Sequence, residues 1–170
     1  PLRLVGSEMC IRDRTIAPAE VSEDVAKEAH ELALRLAQGF ELAGILAIEL
    51  FVTKDERVIV NELAPRPHNS GHYTIEACSF DQFDAHIRGI AGWPLEQPEL
   101  LKPAVMVNVL GQHVAPTRAL IAEHPEWNMH DYCKAEVRHD RKMGHITVLT
   151  DDTRQTVADL ERTGCWDDLK

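Results

Sequence analysis

With 170 residues the chain is long enough for one domain or two small ones, and its 44% apolar content supplies a core. A net charge of -10 argues against general nucleic-acid binding, and no apolar run is long enough to span a bilayer. Cys10, Cys78, Cys133 and Cys165 stand far apart with no C-x-x-C pair, which points away from zinc and disulfides and toward a reducing, cytoplasmic setting.

In chain order, residues 1–14 have neither helical nor strand periodicity and read as a non-native or artefactual leader, with the native sequence entering near Thr15. Ser22 to Gln38 predicts an amphipathic helix. Ser22 is its N-cap, Glu23 and Asp24 complement the dipole, and Val25, Ala29, Leu32 and Leu36 form the inward stripe. Gly44 to Val52 is apolar on both faces, as in a buried strand, apart from Glu49. A polar turn, Thr53 to Arg57, leads to a second strand over Val58 to Leu63.

A hairpin symmetric about Asp55 and Glu56 sets Thr53 opposite Val58, Phe51 opposite Val60 and Glu49 opposite Glu62. Opposed residues share a face with Cβ atoms about 5 Å apart, and like charges there destabilise. Two carboxylates so placed call for a shared proton, with one pKa raised, or for a hard divalent cation such as Mg²⁺. The alternatives are a basic partner for Glu49 from elsewhere or a register slipped by one residue.

The second strand runs into Asn61-Glu62-Leu63-Ala64-Pro65-Arg66-Pro67-His68-Asn69-Ser70-Gly71-His72-Tyr73-Thr74. The two prolines forbid a helix across its centre, and so many donors make poor core material. It reads as a functional loop at a strand end rather than a plain surface connection. Ile75 to Gly89 predicts a helix with Phe80, Phe83 and Ile87 inward, and the breaker-rich link from Ala91 to Pro103 marks a subdomain boundary.

Beyond it, Val105 to Gly111 reads as a strand, Ala119 to Ala122 as a helical turn and His124 to Asn128 as an exposed turn. Two further strands are expected over Tyr132 to Val137 and His145 to Thr150, and a closing helix over Asp151 to Arg162 with Val157 and Leu160 inward. Between those strands lies a cluster of cations, Lys134, Arg138, Arg141 and Lys142, out of character in an acidic chain. Arginine's planar fork suits phosphate. Composition alone allows an ordinary solvated hairpin tip equally well.

The runs Gly44 to Val52, Val60 to Thr74 and Lys134 to His145 resemble the 5-(carboxyamino)imidazole ribonucleotide synthases, ATP-grasp ligases of de novo purine synthesis, with likeness from about Thr15 to Thr150. The resemblance implies an α+β chain: the C-terminal half of an ATP-grasp domain over residues 15–98, then a small β-rich C-terminal domain over 99–170. It implies use of ATP and bicarbonate to carboxylate aminoimidazole ribonucleotide through carboxyphosphate. It assigns Glu49 and Glu62 to Mg²⁺ on the ATP phosphates and Arg66, His68 and Asn69 to bicarbonate or carboxyphosphate. Lys134 and Arg141 are assigned to the ribonucleotide phosphate, Arg138 and Lys142 being left as solvated charges. A homodimer in the cytoplasm, with no membrane or nucleic-acid partner, is the accompanying expectation.

The chain has no Gly-rich phosphate loop, so it is expected to be the C-terminal half of a ligase, inactive alone. The competing readings are another ATP-grasp carboxylase with a different acceptor and a non-catalytic nucleotide- or anion-binding module.

Overall fold

A computed structural model describes residues 14–167. The elements are β1 (Arg14–Ala17), α1 (Glu23–Gly39), β2 (Ala47–Val52), β3 (Val58–Ala64), α2 (Thr74–Ala77), α3 (Gln82–Ala91), β4 (Ala104–Leu110), α4 (Val114–Leu120), β5 (Asn128–Asp131), β6 (Lys142–Leu149) and α5 (Thr153–Arg162). The expected leader lies outside the described residues except for Arg14, which opens β1. The mixed α+β class is as expected. The described chain forms two compact units, residues 18–101 and residues 14–17 with 102–167.

In the first unit, α1 packs on the antiparallel hairpin of β2 and β3. The Ser22 hydroxyl accepts from the Val25 N–H at 3.3 Å, as an N-cap should. The buried stripe is Val25, Ala29 and Ala33 rather than one running on through Leu32 and Leu36, so small residues set the helix close to its neighbours.

The hairpin is less buried than its composition suggests. Phe51, Val52, Ile59 and Val60 are exposed, correcting the expectation of a strand buried on both faces. An apolar run alone does not say what covers it. The helix expected over Ile75 to Gly89 is also broken in two. Asp81 starts α3 afresh by accepting from the N–H groups of Phe83 (2.7 Å) and Asp84 (2.8 Å), a cap contributing about 0.5–2 kcal/mol. The new phase turns Gln82 and Ala85 inward and leaves Phe83 and Ile87 exposed, opposite to the expected stripe. Gly89 permits close approach to this helix: a Cβ there would lie 2.8 Å from the Gly44 Cα.

The second unit is a four-stranded antiparallel sheet in the order β1-β4-β6-β5. β1, for which the sequence offered no strand signal, pairs with β4 in this sheet, and Arg14 bonds Glu161 at 2.9 Å. Every residue of β4 is buried, which is why it reads as a continuous apolar run. Val105, Val107 and Val109 join Ile146, Val148, Trp127, Leu160 and Trp166 in the core. The Trp166 indole N–H is satisfied by the Asn108 carbonyl at 3.0 Å. The closing helix forms as expected, with Leu160 buried and Val157 partly buried against the core, and Asp152 is its N-cap.

The strand expected over Tyr132 to Val137 lies instead at β5, and residues 132–141 form an irregular connection to β6. Asp131 accounts for the early stop. Its carboxylate accepts from the Cys133 N–H at 2.8 Å, and Cys133 takes a left-handed φ of 51° that a continuing strand excludes.

Candidate active site

The two hairpin carboxylates are direct partners: Glu49 pairs with Glu62 across β2 and β3. They reach that pairing through a bulge. Nearer the turn, Leu50 pairs with Val60, Phe51 with Ile59 and Val52 with Val58, so the expected pairings of Phe51 with Val60 and Thr53 with Val58 do not form. Asn61 is the extra residue. A bulge sends adjacent side chains to one side of the sheet, and the Asn61 amide accordingly donates to Glu49 Oε2 at 3.0 Å.

Glu49 also meets the central loop. His68 Nε2 stands 3.7 Å from Glu49 Oε1, so the two carboxylate oxygens face donors of different kinds. The ring's orientation is explained locally. His68 is the N-cap of a short 3₁₀ turn over Asn69–Gly71, and its Nδ1 accepts from the Ser70 N–H at 3.4 Å and lies 2.9 Å from the Ser70 hydroxyl. A nitrogen that accepts from a backbone N–H carries no proton, so in the neutral ring Nε2 bears the hydrogen, toward Glu49.

Of the other expected loop residues, Asn69 is half-buried in the 3₁₀ turn, while Arg66 is exposed, with its guanidinium on the Pro67 carbonyl at 3.0 Å. The structure therefore brings His68 to the carboxylate pair and leaves Arg66 at the surface of the same loop. Among the described residues no three His, Cys, Asp or Glu side chains converge as a metal cage. Two carboxylates on one face are nevertheless a hard-oxygen set that suits Mg²⁺, which takes one or two carboxylates and completes its shell with water and phosphate oxygens.

The second constellation lies in the other unit, on the connection between β5 and β6. Lys134 donates to the Lys142 carbonyl at 2.6 Å, and its ammonium sits 5.4 Å from the centre of the Tyr132 ring. The Tyr132 hydroxyl lies 2.9 Å from Nδ1 of the buried His145, on which His130 stacks at 4.5 Å. Arg141 is exposed and donates to the Glu136 carbonyl at 3.3 Å, whereas Arg138 pairs with the Glu136 carboxylate. Both expected phosphate ligands thus sit on one connection, rather than on a strand and the turn after it. Asp131, at its start, is held below the usual carboxylate range, chiefly by the Cys133 N–H and then by Arg118 at 2.5 Å.

Three contributors went unassigned in the sequence. Asn61 stood in the motif but acquires its contact only through the bulge. The sequence pattern places Tyr132 in a strand. Gln82 was hidden in a helix stripe with the wrong phase. No sequence signal marks the last, because a buried glutamine is recognised by its bonds and not by its neighbours in the chain.

Two domain families match the chain. Residues 7–83 match the ATP-grasp domain and residues 104–159 the phosphoribosylaminoimidazole carboxylase C-terminal domain, so the chain joins an ATP-grasp segment to that C-terminal module. It is 46% identical over 144 residues to the N5-carboxyaminoimidazole ribonucleotide synthase of Staphylococcus saprophyticus, covering 84% of this chain and 38% of that relative. The Staphylococcus aureus N5-carboxyaminoimidazole synthetase solved with ADP superposes with a TM-score of 0.84 at 45% identity, over 89% of this chain and 40% of that one. The Aspergillus clavatus synthase solved with ADP and 5-aminoimidazole ribonucleotide gives 0.83 at 33% identity, over 94% and 44%. In sequence and fold the chain is similar to part of the N5-carboxyaminoimidazole ribonucleotide synthases. It spans about two fifths of the length of the curated relatives it matches.

Proposed function

We propose that this chain carries part of the active site of an ATP- and bicarbonate-dependent ligase that carboxylates 5-aminoimidazole ribonucleotide on its amine. The observation that carries the reading is the direct pairing of Glu49 with Glu62, with Asn61 and His68 at Glu49. Like charges directly opposite one another destabilise a sheet, and a counter-charge between them relieves that. Glu49 and Glu62 would hold Mg²⁺, which when bound supplies positive charge to the nucleotide phosphates.

The chain's own groups do the rest. His68 presents an N–H, Asn69 an amide and Arg66 a permanent cation from one loop, the donor set for bicarbonate and for the carboxyphosphate made from it. On the other unit, Lys134 and Arg141 hold the ribonucleotide phosphate, Lys134 as a point charge and Arg141 as a fork. The ribonucleotide in the Aspergillus clavatus structure supports this choice of acceptor. We extend the proposal to an ATP-grasp part and a small β-rich C-terminal part that meet near residue 99, a cytoplasmic setting and a homodimeric assembly. These rest on the family likeness. No helix among the described residues is long and apolar enough to cross a membrane.

The acceptor is tested by calorimetric titration of 5-aminoimidazole ribonucleotide into the 170-residue chain, with ribose 5-phosphate as competitor. Binding that Lys134→Ala and Arg141→Ala each weaken by about tenfold or more supports the reading. A ligand that does not bind, or binds these variants equally well, contradicts it.

A further inference from the structure

The Gln82 side-chain amide makes three contacts to one loop, at His68 and His72. Gln82 is buried, with 7% exposure. Its Oε1 accepts from the His68 N–H at 2.9 Å, and its Nε2 donates to the His68 carbonyl at 2.9 Å. A backbone N–H only donates and a backbone carbonyl only accepts, so these two bonds fix which end of the amide is oxygen. The side chain grips His68 as a neighbouring β-strand would, through both main-chain groups.

The second hydrogen of Nε2 has one use left, and it goes to His72. The Gln82 Nε2 to His72 Nδ1 distance is 2.8 Å. Since Nε2 is a donor, His72 Nδ1 is an acceptor, and the neutral ring carries its proton on Nε2. One amide therefore sets the path of the main chain at His68 and the tautomer of His72. The backbone has made room for it. A Cβ on Gly71 would lie 2.4 Å from Gln82 Oε1, so no larger residue fits without displacing the amide. The Gln82 N–H is tied to the loop as well, donating at 3.0 Å to the Thr74 hydroxyl, which donates at 2.6 Å to the Gly71 carbonyl.

We infer that Gln82 is the positioning residue of the anion loop: it holds His68 so that the ring's N–H is presented beside Glu49, and it holds His72 as an Nε2–H donor. This rests on the reading of residues 66–69 as the bicarbonate site. An amide in this place is specific. A carboxylate of the same size keeps the acceptor for the His68 N–H, but turns an acceptor toward the His68 carbonyl and the His72 nitrogen, which both need donors. A helix-capping role is separate and belongs to Asp81, whose bonds go to Phe83 and Asp84.

The test uses ¹⁵N-labelled chain titrated with bicarbonate, comparing wild type with Gln82→Ala, Gln82→Glu and the control Asp81→Ala. Wild type should show bicarbonate-dependent shifts at the amides of Arg66, His68 and Asn69 and a His72 ring with protonated Nε2. Both Gln82 variants should need about tenfold more bicarbonate or worse, as expected for loss of a hydrogen bond or more. In Gln82→Glu the His72 Nδ1 should become protonated. Asp81→Ala should keep the wild-type anion response and tautomer. If Gln82→Ala unfolds, Gln82→Glu, which keeps size and acceptor, decides. A folded Gln82 variant with wild-type bicarbonate response overturns the assignment. If wild type itself ignores bicarbonate, the loop's anion reading falls, and with it Gln82's role toward the anion. An unchanged His72 ring in Gln82→Glu would then refute the latch too.

Discussion

Asn61 is the one residue of β3 without a partner on β2, and its amide reaches Glu49 at 3.0 Å. Glu62, the next residue, pairs with Glu49 directly. The hairpin thus carries a like-charge pair whose repulsion one amide hydrogen bond offsets in part. Opposed like charges on a sheet cost on the order of 0.2–1 kcal/mol. Glu62→Gln should therefore raise the stability of the metal-free chain by about that amount, while weakening Mg²⁺-dependent nucleotide binding. Denaturant unfolding beside a nucleotide titration checks both signs. A destabilised Glu62→Gln chain would show that Glu62 is held by a favourable partner, and that the pair is not poised for a cation.

The pairing was legible in the sequence, but through two departures that cancel. The turn closes one residue tighter than a hairpin symmetric about Asp55 and Glu56, since Val52 meets Val58. The bulge at Asn61 then restores the register, so Glu49 meets Glu62 after all. Composition shows neither event, because turn closure and bulges depend on backbone angles such as the positive φ of Glu56. Elsewhere the capping signals were sound at Ser22, whereas the break at Asp81 and the early end of β5 at Asp131 went unseen. In both places an aspartate competes with the helix or strand by bonding nearby N–H groups, and a periodicity argument does not weigh that competition.

Lys134 is held over the Tyr132 ring, and that suggests an experiment with two substitutions. Tyr132→Phe keeps the ring and loses the hydroxyl and its bond to His145, while Tyr132→Leu removes the platform. Leu should weaken 5-aminoimidazole ribonucleotide by about 0.5–1 kcal/mol more than Phe, the scale of an exposed cation–π contact. Titration calorimetry reads the difference, and equal effects would assign Tyr132 to packing alone.

Arg141→Ala should weaken the same ribonucleotide by about 1.5–3 kcal/mol, the scale of a hydrogen bond to a charged group. Binding of Mg²⁺ and ADP should not move, since Glu49 and Glu62 lie in the other unit. A loss in both titrations would give the connection between β5 and β6 a folding role.

Asp131 supplies a pH dependence. Its folded pKa lies below the ordinary value of 3.8, chiefly through the Cys133 N–H and then Arg118. A depressed carboxylate contributes stability that is present above the unfolded pKa and lost as pH falls through the folded one. The turn leading to Lys134 should therefore hold at pH 5 to 7 and loosen below about pH 4. Hydrogen exchange at Cys133 across that range reads it, and Asp131→Asn should flatten the response. If the Asp131→Asn variant keeps the wild-type profile, the titration lies elsewhere.

In the second unit the core should dominate stability. Ile146 is fully buried between β4 and β5, so Ile146→Ala should cost about 2–5 kcal/mol. Chemical unfolding followed by fluorescence of the buried Trp127 and Trp166 measures it. A cost well under 1 kcal/mol would mean that the sheet repacks freely around the gap.

The central claim is that Glu49 and Glu62 share one divalent cation with nucleotide phosphates. Mn²⁺ in place of Mg²⁺ tests it most directly, because the paramagnetic ion broadens the amide signals of nearby residues. Added with ADP to the ¹⁵N-labelled chain, Mn²⁺ should broaden Glu49, Asn61, Glu62 and His68. It should do so weakly without ADP, and not at all in Glu49→Gln/Glu62→Gln. Broadening that ignores ADP, or that survives removal of both carboxylates, would contradict the claim.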